Sequence, residues 1–240
     1  MTPFELLYIC VEPLISPLYF LVRRRLQAII RGCGWQVCIL DIGGRKSHYT
    51  AGLPAAVYIT DLPRKSALQQ KLHLGVDSQI VGQIRRRRSN VRGIVYDDMT
   101  HSALKEGAFG CVVAVEVLEH VEDDVGFIRE VRRVLRDGGV FLMTTPNGDA
   151  VKNTNPDHKR HYTRAQLQSL LGSHFEAVRV EYAVAGGQFR SWGLQSWCVQ
   201  HPVQTMRSAV GNLITLMQSS TEHIREWPDG TRHLLAEARK

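Results

Sequence analysis

The chain has 240 residues, a formal net charge of +7, and 44% hydrophobic and 22% charged side chains, the balance of a globular protein able to bury a core. This excludes a disordered or fibrous chain, and no internal repeat or low-complexity tract appears. Its five scattered cysteines, Cys10, Cys33, Cys38, Cys111 and Cys198, contain no Cys-x-x-Cys pair, which excludes a disulfide framework and a thiolate zinc site and points to a reducing cytoplasm.

The N-terminal stretch Phe4 to Val22 is apolar, but Glu5, Glu12, Pro13 and Pro17 interrupt it, which fits neither a signal peptide nor a spanning helix. Arg23, Arg24 and Arg25 follow, a pattern suited to peripheral contact with an anionic membrane surface; a helix packed on the main domain is the plainer reading. Leu18, Leu21, Val22, Leu26, Ile29 and Ile30 recur at helical spacing until Gly32 and Gly34.

Short apolar runs then read as buried parallel strands: Val37 to Leu40, Ala55 to Thr60, Gly93 to Tyr96 and Cys111 to Val115. Between the second and third stands the run Arg85 to Arg88, a solvated face or a site for a negatively charged partner. Asp123 and Asp124 open a helix with Val125, Ile128, Val131 and Leu135 on its apolar face, closed by Gly138-Gly139. Val140 to Thr144 is a fifth strand, Thr163 and Gln166 form a capping box ahead of Leu167, Leu170 and Leu171, and Phe175 to Val184 alternates as a sixth strand. After Gly186-Gly187 no seventh strand is evident: Trp192, Leu194 and Trp197 suit a strand or a lid. Val203, Met206, Val210, Leu213 and Met217 give an amphipathic helix with a core or interface stripe.

Strands alternating with helices predict an α/β fold with a doubly wound, mostly parallel sheet and helical additions at both ends. The expected organisation is an N-terminal helical segment 1–34, a central domain 35–185, and a segment 186–240 serving as acceptor lid or interface. The first four strands end on carboxylates: Asp41, Asp61, the pair Asp97 and Asp98, and Glu116. Asp after a strand is often only a turn former or helix cap. Four such ends together suit a site that grips hydroxyl and amino groups, where open parallel sheets bind ligands.

The segments Val115-Glu116-Val117-Leu118-Glu119-His120-Val121, Arg133 to Gly139 and Thr144-Thr145-Pro146-Asn147, in that order and spacing, resemble the class I S-adenosylmethionine-dependent methyltransferases. The resemblance runs from the first strand to the helix after Thr163 and implies a Rossmann-like fold, S-adenosylmethionine as cofactor and methyl transfer as activity. It implies that Asp41, Gly43 and Gly44 form the loop at the methionine portion of the cofactor, although Arg45 and Ser47 stand where the family has its second and third glycines. By the same comparison Asp61 holds the ribose hydroxyls, Asp98 or its neighbour Asp97 the adenine amino group, and Glu116 lies under the meeting point of methyl donor and acceptor.

Glu116, Glu119 and His120 are similar to the Glu-x-x-Glu-His set with which ubiquinone-pathway O-methyltransferases and small-RNA terminal 2′-O-methyltransferases bind a divalent metal. This implies Mg²⁺ or Mn²⁺ as a possible second cofactor, with His158, or else His161, as a further ligand. Many methyltransferases without a metal carry Glu-His here too, where the histidine orients the loop or contacts cofactor or acceptor, so both readings stand. Glu119, His120, His158 and His161 are the residues expected near the acceptor. The expected acceptor is a hydroxyl of a small molecule or glycan. A metal-assisted RNA 2′-O-methyltransferase, with nucleic acid as partner, is the alternative, and a non-catalytic binding module built on this fold is a second one.

Overall fold

A computed structural model describes the chain except residues 34–35, 46–47, 63–76, 196 and 199 and the side chains of 222 and 223. Gly34 and Ser47, singled out above, therefore lie outside the described residues.

Ser16 and Pro17 divide the apolar N-terminus into two helices, α1 (Pro3–Ile15) and α2 (Pro17–Gly32). Thr2 and Glu5 form a capping box at the start of α1, and Ser16 accepts the Tyr19 N–H at the start of α2, with Pro17 preset for the first helical position. The Glu5 carboxylate also accepts from Gly52 N–H, Ser89 N–H and the Ser89 hydroxyl at 2.8–3.1 Å. One buried side chain thus caps its own helix and stitches it to two loops of the main domain. No helix among the described residues is long and apolar enough to cross a membrane.

Among the described residues, seven strands follow the order β3-β2-β1-β4-β5-β7-β6. They are β1 (Cys38–Ile42), β2 (Ala56–Asp61), β3 (Val91–Tyr96), β4 (Phe109–Val115), β5 (Leu135–Pro146), β6 (Ala177–Ala185) and β7 (Thr231–Arg239). The β1 to β5 ladders are parallel, whereas β7 runs antiparallel to both β5 and β6. The order reverses direction between β1 and β4, where an open sheet presents a crevice at its carboxyl ends.

Helices cover both faces. On one, α4 (Asp124–Val134) and α5 (Arg164–Gly172) bury Phe127, Val131, Leu167 and Leu171 against Leu40, Val112 and Phe141. On the other, Leu18, Val22, Leu26 and Ile29 of α2, with Ile84 of α3 (Ser78–Arg87), pack on Ile39, Val57, Val113 and Leu142. The N-terminal helical segment therefore supplies one layer of the α/β sandwich.

The structure corrects four readings made from sequence. A seventh strand exists, Thr231 to Arg239, and the fold extends past residue 185. Its Leu-Leu-Ala-Glu-Ala core is poor in residues that favour strands, and pairing on both sides overrides that preference. The helix opened by Asp123 stops at Val134, and Gly138-Gly139 fall within the β5 segment, where the Gly138 N–H reaches the Lys240 carbonyl at 2.9 Å. Arg88 is not part of a solvated basic face: Arg85 to Arg87 are exposed, but Arg88 is 1% exposed.

The fourth correction concerns the core alternative for the stripe of α7 (Pro202–Ser219), the interface alternative being untouched; this helix follows the short α6 (Gln188–Gly193) and precedes α8 (Glu222–Glu226). Its apolar residues Val203, Met206, Val210, Leu213 and Met217 face outward, while Ser208, Gly211, Asn212 and Thr215 are buried. Close approach of α6 selects this face, because a Cβ at Gly211 would lie 2.7 Å from the Phe189 carbonyl oxygen and 2.8 Å from Trp192 Cβ. Gly211→Ala is expected to destabilise by about 1–3 kcal/mol through overpacking. Met206→Gln and Leu213→Gln are expected to stay within about 0.5 kcal/mol of the parent protein. Urea unfolding of the three variants checks the inverted order.

Candidate active site

The loop leaving β1 is shaped from within. Gly43 adopts a left-handed backbone, φ 69°, and a Cβ at Gly44 would lie 2.3 Å from the Asp41 carboxyl carbon, so the chain turns back over that side chain. Asp41 is completely buried; it accepts from the Tyr49 hydroxyl at 2.6 Å and the Thr50 hydroxyl at 2.9 Å, and faces Arg88 Nη2 at 3.6 Å. Arg88 also donates to the Gly44 carbonyl at 3.1 Å and to the Thr50 hydroxyl. The Asp41 carboxylate consequently holds the loop together from below, and the loop backbone forms the surface above it. Tyr49, Thr50 and Arg88 were not legible as site residues: nothing in a turn segment or an arginine run marks a buried network.

At the next strand end, Asp61 accepts from Leu62 N–H at 2.8 Å and pairs with Arg45 Nη1 at 2.6 Å, both side chains being about nine-tenths buried. Arg45, which stands at a glycine position of the resemblance, thus reaches across to the carboxylate assigned to ribose. Asp98 is exposed, and the Thr100 N–H and hydroxyl hold its carboxyl below the usual carboxylate range. Asp97 accepts from Ala103 N–H at 3.0 Å with one oxygen, and its Oδ2 is buried without a hydrogen-bond partner among the described residues.

Glu116, with a positive φ of 55°, turns toward β5 and β7, where it accepts from the Thr144 hydroxyl at 3.0 Å and lies 3.2 Å from His233 Nδ1. Burial raises this carboxyl, but His233, Thr144 and His158 outweigh it and hold Glu116 below its ordinary value. His233 could not be assigned from sequence while β7 was unrecognised.

Glu119, in the 3-10 turn Leu118–His120, is fully buried. Its Oε2 accepts from the Thr145 hydroxyl at 3.2 Å, and its Oε1 has no hydrogen-bond partner among the described residues. Burial first, and then the charge of Glu116, push Glu119 up to about 9, so that it stays protonated at neutral pH. The two glutamates of one motif therefore carry opposite protonation states.

The loop carrying the later histidines is brought to this turn by a Lys159 N–H to Glu119 carbonyl bond of 2.7 Å. Arg160 pairs with Asp124 at 2.6 Å, and the Tyr162 hydroxyl donates to the same carboxylate at 2.7 Å. His161 Nδ1 lies 2.9 Å from the Val151 carbonyl and therefore carries the ring proton. Its bare Nε2 accepts, at 2.8 Å, from Nδ1–H of His158, leaving Nε2 of a neutral His158 bare. Burial, with His120 and His161 nearby, lowers the His158 pKa and favours that neutral ring. His120 Nδ1 donates to the Asp157 carbonyl at 3.1 Å, which frees its own Nε2. Glu119, His120 and His158 each offer a ligand atom within 4.8 Å of the other two. The structure brings three of the four suggested metal ligands together and commits Glu116 to His233 and Thr144.

The comparisons with known proteins bear on this architecture. Residues 40–143 match the family described as methyltransferase domain. This stretch, less than half of the chain, is similar to methyltransferase domains. A probable S-adenosylmethionine-dependent methyltransferase of Mycolicibacterium smegmatis is 33% identical over 133 residues, 53% of this chain and 50% of that protein. A ubiquinone biosynthesis O-methyltransferase of Xanthomonas oryzae is 32% identical over 112 residues, 45% of this chain and 43% of that protein. The chain spans about half the length of the curated relatives it matches. Among solved structures, a SAM-dependent methyltransferase from Archaeoglobus fulgidus superposes with a TM-score of 0.57 at 15% identity, covering 92% of this chain and 94% of that one. The residues at the strand ends fit S-adenosylmethionine, the cofactor for which the matched relative is named: Asp61 and Asp98 offer carboxylate oxygens to hydroxyl and amino donors beside the loop in which Gly44 packs on Asp41.

Proposed function

We propose that the methyltransferase domain transfers a methyl group to a hydroxyl of a small-molecule or glycan acceptor, with His158 taking the hydroxyl proton. The observation that carries this reading is the chain Val151 carbonyl, His161, His158, which leaves a bare imidazole nitrogen on His158, a ring grouped with Glu119 and His120. S-adenosylmethionine, when bound, supplies an electrophilic methyl on sulfur; what the protein adds is alignment and proton removal. His158 accepts the proton at Nε2, while the hydrogen bond from its Nδ1 to His161 fixes the ring and its tautomer. Protonated Glu119 has an O–H to donate toward the acceptor, and ionised Glu116 stabilises the imidazolium that forms on His158.

The grouping of Glu119, His120 and His158 supports a second reading, a metal-assisted transfer to an RNA 2′-hydroxyl. Two imidazoles with bare nitrogens and a carboxylate with an unpartnered oxygen are a suitable donor set for Mn²⁺ or Mg²⁺. A metal there would act as a Lewis acid on the acceptor hydroxyl.

Labelled S-adenosylmethionine assays on catechols, flavonoids, sugars and a short RNA, run with EDTA or Mn²⁺, separate the two readings. His158→Ala is expected to lower kcat about 100-fold or more while leaving S-adenosylhomocysteine affinity unchanged, with wild-type activity insensitive to EDTA. Activity confined to RNA, lost in EDTA and restored by Mn²⁺, selects the second reading.

A further inference from the structure

Beside the histidine chain lies a cavity of about 350 Å³ whose walls include Lys152, His158, His161, Arg190, Arg232 and His233. They come from three separate pieces of chain: the loop after β5, helix α6, and the start of strand β7. This size suits a small molecule. The cavity is basic, and its charge is not neutralised by the protein. Half-buried Arg190 and exposed Arg232 form no side-chain hydrogen bond or ion pair among the described residues, whereas Arg133 and Arg160, half-buried like Arg190, are paired with carboxylates. Burial, with the like charge of Arg232, lowers the Arg190 pKa, and Glu116 is the acidic group that works against this. Glu116, however, is already engaged by His233 and Thr144.

We propose that the acceptor is a small acid, whose carboxylate or phosphate is gripped by Arg190 and Arg232 while its hydroxyl is presented to His158. The inference rests on the methyl-transfer reading above and names its substrate class. Two guanidinium forks match the paired oxygens of a carboxylate or phosphate in a way that a hydroxyl cannot. A bound anion relieves the repulsion between the arginines and supplies the counter-charge that the protein withholds. Because the same cavity wall holds His158 and His161, one molecule spans both the anion grip and the proton acceptor. Arg190 and Arg232 are thus specificity-determining residues, and neither stands out in a linear reading of the chain.

The test is calorimetric titration of phenyl phosphate, benzoate and neutral benzyl alcohol into the full chain, with and without S-adenosylhomocysteine. At least one anion is expected to bind about tenfold or more tightly than benzyl alcohol, the equivalent of one charge-assisted hydrogen bond. Arg190→Met and Arg232→Met should each remove about that factor, Arg190→Lys should fall between, and S-adenosylhomocysteine affinity should stay constant throughout. The tighter of the two anions tells phosphate from carboxylate. Equal binding of benzyl alcohol, or anion binding that neither arginine variant changes, overturns the proposal. Loss of S-adenosylhomocysteine affinity in the arginine variants also overturns it, since the arginines would then serve the cofactor. Arginine-dependent anion binding by a protein that never binds S-adenosylhomocysteine would keep the anion site and remove the methyl-transfer reading instead.

Discussion

Arg88→Met is expected to destabilise the protein by about 3–5 kcal/mol, the usual cost of stranding a buried charge, and to weaken S-adenosylhomocysteine binding with it. The substitution leaves the fully buried Asp41 carboxylate facing only the Tyr49 and Thr50 hydroxyls, and it cuts the bond to the Gly44 carbonyl that ties α3 to the loop after β1. Stability and ligand affinity should therefore fall together. Arg85→Met and Arg86→Met, on the exposed part of the same run, are expected to change stability by no more than about 0.5 kcal/mol. Asp41→Asn combined with Arg88→Met removes both charges and should recover part of the loss. Urea unfolding and calorimetry on the four variants measure both effects. An Arg88→Met protein as stable as its parent would mean that Asp41 is neutral in the fold.

Asp61→Ala is expected to weaken S-adenosylhomocysteine binding about 100-fold or more, because a carboxylate that accepts two hydroxyls contributes about 1.5–3 kcal/mol through each. Arg45 gives this prediction a second arm. Its guanidinium lies 2.6 Å from the Asp61 carboxylate, so a nucleoside approaching Asp61 must share that carboxylate with Arg45 or displace it. Arg45→Gly is expected to tighten S-adenosylhomocysteine several-fold, because the ligand no longer has to share or displace an ion pair that is about nine-tenths buried. Weaker binding in Arg45→Gly would instead show that the guanidinium helps hold the ligand. In either case calorimetry on the two single variants and the double variant gives the coupling between the positions.

The central fold was legible because its signals are local and repeated: apolar runs that end on Asp41, Asp61, Asp98 and Glu116, and capped helices between them. Both capping predictions, at Asp123 and at Thr163, correspond to side-chain caps in the structure. What escaped the sequence was set by tertiary packing. Thr231 to Arg239 becomes a strand because two neighbours offer it hydrogen bonds on both edges, and α7 buries its small polar face because α6 approaches too closely for anything larger. The site divides in the same way. Strand-end carboxylates and the Glu-x-x-Glu-His motif stand out in a linear reading. Arg88, Arg190, Arg232 and His233 acquire their roles only when distant pieces of chain meet around them.

The place of β7 in the sheet also bears on the order in which the molecule can be assembled during synthesis. Strands β1 to β5 follow one another along the chain and can pair as they emerge, so the cofactor half of the sheet can form early. Strand β6 emerges next but has no partner, because the strand that joins it to β5 is translated about fifty residues later. Until residues 231–239 leave the ribosome, β5 and β6 both present open edges of the kind that recruit other chains. The same nine residues deliver Arg232 and His233 to the cavity proposed for the acceptor. A nascent chain can therefore complete β1 to β5 well before β6 and β7 close the sheet, and the most hazardous interval for misassembly is the gap between the two.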